Sequence, residues 1–109
     1  MTTTPKALVD GTLLTASEVT LYTATGVTAA IHSITYTNTD TVDRAVTIWI
    51  IPSGQTSGAR YRIATAMVIP AGRTVIDDTL RNLESGDFIA GLADSTNLVA
   101  IRVDGAEIT

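Results

Sequence analysis

The chain of 109 residues has no cysteine, a single histidine, a single lysine and only five aromatic side chains. Without cysteine there is no disulfide framework, thiolate nucleophile, iron–sulfur cluster or cysteine-bearing zinc site. With His32 alone there is no multi-histidine metal centre. Seven Lys+Arg against eleven Asp+Glu leave a formal net charge of −4, which argues against a nonspecific grip on nucleic-acid phosphates. Although 45% of the residues are hydrophobic, no run approaches the roughly 20 apolar residues of a membrane-crossing helix. The opening Met1-Thr-Thr-Thr-Pro-Lys6 carries neither the basic start nor the apolar run of a secretory signal. Neither nucleic acid nor membrane is expected as a partner.

What the chain has in abundance is β-branched residues: 20 Thr, 9 Val and 11 Ile. Such side chains favour extended backbone over helix. Apolar runs alternate with turn signals, among them Asp10-Gly11, Thr25-Gly26, Pro52-Ser-Gly54, Pro70-Ala-Gly72, Ser85-Gly86 and Asp104-Gly105. This punctuation predicts an all-β fold, a single antiparallel, jelly-roll-like β-sandwich of about eight short strands. The strands are expected near residues 13–14, 18–24, 29–38, 44–51, 60–69, 74–77, 87–93 and 98–103, the last with a tail to 108. Residues 1–12 read as an N-terminal arm, its first six polar, threonine-rich and carrying Pro5 and without fixed structure in isolation; residues 13–109 read as the sandwich domain.

Period-two alternation assigns the faces. Val46, Ile48 and Ile50 form one core set; Tyr61, Ile63, Met67 and Ile69 form another, and Val99, Ile101 and Val103 a third. In 29–38 the parity fails, because Ile34 and Tyr36 share a face that Ile31 does not. Either a β-bulge near His32-Ser33 returns Ile31 to the core, or the strand is apolar on two sides. The stretch Asp77–Leu83 is expected to make a connecting turn, with one helical turn as the alternative.

Little in the sequence carries reaction chemistry. His32 and Ser33 are strand neighbours and point to opposite faces, so they do not make a nucleophile and base. The Asp40–Asp43 and Asp94–Asn97 loops lack the spaced acidic ladder of a dedicated calcium site and read as solvated turns. No enzyme activity, cofactor or metal is expected. The candidate functional surface is instead an interface. Trp49 and Ile51, with Thr47 beside them, lie opposite the presumed core set of their strand, and large apolar residues on a wet face suggest a contact with another chain. Arg60 and Arg62 share one strand face: they suit planar ion pairing across such a contact, while a simple solvated face is the plainer reading, since exposed pairs contribute little. The competing reading is that a loop of the chain itself covers Trp49.

The ordered run of motifs Val19-Thr-Leu-Tyr-Thr-Ala24, Ala30-Ile-His-Ser-Ile34, Tyr36-Thr-Asn-Thr39, Val46-Thr-Ile-Trp-Ile50, Ile69-Pro-Ala-Gly72, Leu83-Glu-Ser-Gly-Asp-Phe-Ile89 and Val103-Asp-Gly-Ala-Glu-Ile108 resembles small β-sandwich virion proteins of tailed bacteriophages. These include head decoration, neck and tail-associated components. The similarity spans residues 18–108, and the family offers no catalytic residue to transfer. The resemblance implies a noncatalytic structural protein, foremost a capsid decoration or cement protein, made in the host cytoplasm and resident in the virion. Its implied partners are further copies of itself, with a trimer as one arrangement, and other virion proteins such as capsid or tail subunits. Alternatives are a neck or tail-associated component, or a carbohydrate-binding module of a receptor-binding appendage. The last requires Trp49, Tyr22, Tyr36 and Tyr61 to converge on one surface.

Overall fold

The computed structural model describes residues 2–109. Nine strands follow one another along the chain: β1 (Thr3–Leu13), β2 (Val19–Thr23), β3 (Thr28–Asn38), β4 (Arg44–Ile51), β5 (Arg62–Ile69), β6 (Thr74–Asp77), β7 (Arg81–Leu83), β8 (Phe88–Ala93) and β9 (Val99–Ile108). Strand accounts for 61% of the chain and helix for 3%, as the β-branched composition requires. A five-stranded sheet has the order β1-β9-β3-β6, with β7 also paired to β3; a four-stranded sheet has the order β2-β8-β4-β5. All pairs are antiparallel.

The pairing is nested: β1 joins β9, β2 joins β8, β3 joins β6 and β7, and β4 joins β5. A long hairpin rolled so that its successive rungs fall alternately in two sheets is a jelly roll. The roll turns between sheets at residues 14–15, where Leu14 N–H donates to Val99 O at 2.8 Å and Thr15 O accepts from Ala93 N–H at 2.9 Å.

Between the sheets lie Ile31, Ile34 and Tyr36 from β3, Val46 and Ile48 from β4, Ile89 from β8, and Val99, Ile101 and Val103 from β9, all fully buried. The core sets assigned by alternation face inward, with Ile50, Ile63 and Met67 packed at the margin, except Tyr61: it lies in a 3-10 turn ahead of β5, outside the strand alternation, and packs on the outer face of the four-stranded sheet instead. Ile31 reaches the core by the bulge. The β3–β9 register runs Ile31↔Gly105 and then Ser33↔Asp104, leaving His32 as the extra residue and exposed.

Asp104-Gly105 is therefore not a turn but strand interior opposite the bulge. The backbones approach so closely that a Cβ on Gly105 would lie 2.0 Å from Ala30 O. Asp10-Gly11 is likewise inside a strand. It sits where the β1–β9 register shifts between Val9 and Thr12, with Gly11 at φ +57°, a left-handed conformation that glycine adopts without steric cost.

Two segments differ from the sequence reading. Most of the segment expected as an arm is strand β1, paired with β9 from Thr3↔Ile108 to Leu13↔Ala100. A second bulge between Ala7 and Val9 turns both Leu8 and Val9 inward, 7% and 3% exposed. The partner strand supplies an order that the polar sequence of β1 alone does not. In 77–83 the connecting turn closes at Thr79 and the chain enters β7, whose Leu83 is buried, while Leu80 stands 75% exposed.

Asn38 ends β3 as its chemistry requires. Buried at 1% exposure, it donates through Nδ2 to Val42 O and Ile69 O, both at 2.9 Å, and accepts from Asp40 N–H at 2.9 Å.

Candidate functional site

The outer face of the four-stranded sheet carries a second apolar cluster, separate from the core. Trp49 and Ile51 on β4 and Ala90 on β8 are its buried members, and Tyr61, Phe88 and Leu92 pack around them. The register explains the grouping, since Trp49 lies opposite Ala90, Ile51 opposite Phe88 and Thr47 opposite Leu92. The same period-two rule that put Trp49 on this face puts Phe88, Ala90 and Leu92 there, a signal the β4 reading by itself does not use.

The chain covers much of this face itself, which corrects the expectation that Trp49 and Ile51 are offered to another molecule. Trp49 is 6% exposed and Ile51 fully buried. After β4 the chain loops out over 52–58 and returns through the single 3-10 turn Ala59–Tyr61, laying Tyr61 against the pair. The loop is moored by Ser57 Oγ to Glu18 Oε1 at 2.6 Å and by Ser53 N–H to Asp87 Oδ1 at 3.1 Å. Trp49 Nε1 is buried with no acceptor among the described residues, so the indole is held by packing and not by a hydrogen bond.

Thr47 has a backbone task. Its Oγ1 accepts from Ala66 N–H at 3.1 Å, in the stretch of β5 where the register against β4 shifts and Ala66 adopts φ +44°. The shift interrupts the alternation of β5 around Thr65.

Arg60 and Arg62 remain at the surface. The Arg60 guanidinium lies 5.2 Å from the centre of the Tyr61 ring and that of Arg62 5.8 Å from the Trp49 ring, positions in which the ring faces attract a cation. Neither takes part in a salt bridge among the described residues, whereas Arg44, Arg81 and Arg102 are all paired to aspartates. The outer face thus presents Tyr61, Phe88 and Leu92, each half-buried, flanked by two cations without carboxylate partners.

Other candidates serve the fold. Asp40 accepts from Arg44 Nε at 2.8 Å and Nη2 at 2.6 Å, and those bonds hold its carboxyl below the usual range. Asp43 accepts from Ala71 N–H at 3.0 Å, and Asp94 lies 4.0 Å from Arg44. Among the described residues no three acidic or histidine side chains group as a metal site. The four aromatics of the carbohydrate reading do not converge: Tyr36 is buried between the sheets and Tyr22 packs at the margin of the core, while only Trp49 and Tyr61 lie together. Compared with family models, curated proteins and solved structures, the chain matches none.

Proposed function

We propose that this protein is a noncatalytic structural component of a tailed-phage virion, a capsid decoration or cement protein that associates with copies of itself and with other virion proteins. The order of the strand and turn motifs along residues 18–108 suggests the family. The jelly roll is compatible with it, since viral capsid domains use this architecture, although a fold alone carries no function. One observation carries the reading: an outer sheet face with half-buried aromatic and aliphatic side chains is bordered by Arg60 and Arg62, which lack carboxylate partners in the described chain. Aromatic side chains and arginine are the residue types enriched at protein interfaces. A lattice-bound protein uses such a surface many times over, so modest contacts add through multivalency.

The test is a quantitative mass-spectrometric copy number in purified particles of the phage that encodes the chain. Hundreds of copies per particle are expected for a capsid coat. A handful of copies would overturn the decoration role in favour of a neck or tail component, and absence from the particle would overturn the virion reading altogether.

A further inference from the structure

Among the described residues the most exposed large apolar side chain is Leu80, at 75%, with Ile76 close by in sequence at 64%. Ile76 lies near the end of β6 and Leu80 in the β6–β7 connection that follows, at the edge of the five-stranded sheet opposite β3 from β9. This connection is pinned. Asp77 Oδ1 accepts from Thr79 N–H at 3.0 Å, and Arg81 Nη1 donates to Asp77 Oδ2 at 3.1 Å and to Thr79 O at 3.3 Å. A leucine held outward on a braced turn is organised for contact before any partner arrives. Beside it, exposed Asp78 has neither an ion-pair nor a hydrogen-bond partner for its carboxylate among the described residues.

The chain therefore carries two unsatisfied surfaces of complementary chemistry. One is an acidic and aliphatic knob made of Ile76, Asp78 and Leu80. The other is the aromatic face with Arg60 and Arg62, on the outside of the opposite sheet. We propose that copies of this protein bind head to tail, the β6–β7 knob of one seating on the Arg60–Tyr61–Arg62 face of the next. Leu80 lies against Tyr61, Phe88 and Leu92, and Asp78 pairs with the two guanidiniums. Because knob and face are different surfaces, the contact is heterologous; it closes into a ring where the rotation permits and does not make a two-fold dimer. The inference rests on the self-association proposed above and specifies which surfaces perform it.

The experiment uses the full chain and two variants, one with Arg60→Glu and Arg62→Glu, the other with Asp78→Asn and Leu80→Ser, so that the two altered surfaces do not attract each other. Mass in solution is measured by light scattering over a range of concentrations, with thermal unfolding as the check on folding. All four side chains are exposed, so folding should be retained; if the face variant unfolds, Arg60→Gln with Arg62→Gln replaces it. The unmodified chain is expected to form oligomers, and each variant alone to associate about tenfold or more weakly. Mixed, the variants should form a one-to-one pair and stop there, because each keeps one working surface. Variants that oligomerise like the unmodified chain would overturn the head-to-tail contact while leaving self-association intact. A mixture that stays monomeric would do the same. An unmodified chain that is monomeric at every concentration would overturn both.

Discussion

Tyr22 on β2 donates its phenolic hydrogen to Oε2 of Glu107 on β9 at 2.5 Å, a side-chain hydrogen bond that ties the four-stranded sheet to the five-stranded one, as the bond from Asn38 to Ile69 O also does. Lys6 on β1 donates to the other carboxylate oxygen at 3.2 Å. Burial, then the neighbouring carboxylate, raises the Tyr22 phenol well above its ordinary value. Donation from Tyr22, then the Lys6 ammonium, holds Glu107 below the usual glutamate range.

This arrangement fixes the sign of a pH effect. A carboxyl whose folded value is depressed contributes stability that is fully present above its unfolded value and is lost as pH falls through the folded one. Tyr22→Phe should therefore cost about 1–2 kcal/mol near neutral pH, and the difference from the unmodified chain should shrink in acid below the ordinary glutamate value. Urea unfolding followed by circular dichroism at both pH values reads this. A gap that widens in acid would contradict the assignment.

Gly105 is predicted to be the least replaceable glycine in the chain. A methyl group there would lie 2.0 Å from Ala30 O, a backbone atom fixed by the β3–β9 ladder. Gly105→Ala should cost about 3 kcal/mol, at the upper end of overpacking penalties. A denaturant midpoint equal to that of the unmodified chain would show that the bulge at His32 relaxes freely.

Trp49 should behave as a structural residue. Trp49→Ala empties the outer cluster and should cost about 3–5 kcal/mol. Trp49→Phe keeps an aromatic in place and removes an indole N–H that has no acceptor among the described residues; its cost should stay below about 1.5 kcal/mol. Equilibrium unfolding of the two variants decides the matter. Equal, small losses in both would mean that the loop over Trp49 contributes nothing to stability.

Much of the sandwich is legible in the sequence because strand alternation is local. The inward sets of β4 and β9 follow directly from period two, that of β5 does so for Ile63, Met67 and Ile69 but not for Tyr61, and the parity fault at Ile31 signals the bulge. Asn38 is readable for the same reason, since a short amide at a strand end needs only nearby backbone groups. What escapes local reading is set by distant partners. The threonines, Pro5 and Lys6 of β1 show no apolar alternation, and β9 alone makes them a strand. Asp10-Gly11 and Asp104-Gly105 look like turns, although both glycines serve strand irregularities, one through positive φ and the other through close approach. At the candidate site, alternation correctly puts Trp49 on the outer face. It cannot show that Tyr61 will fold back over the indole, because loop coverage has no period. Arg60 and Arg62 are identifiable as surface cations, but their want of acidic partners is known only once the aspartates are seen paired to Arg44, Arg81 and Arg102. Leu80 is hidden in a stretch that also suits a turn of helix.

The nested ladder has a consequence for how the chain comes together. Its first strand waits for its last: β1 has no neighbour within its sheet until β9 arrives from the far end of the polypeptide. Pairings across so much sequence are slow to close. During synthesis, Leu8 and Val9 therefore stay without their sheet partner while the intervening strands assemble, and that interval is when newly made chains are most open to clumping with one another.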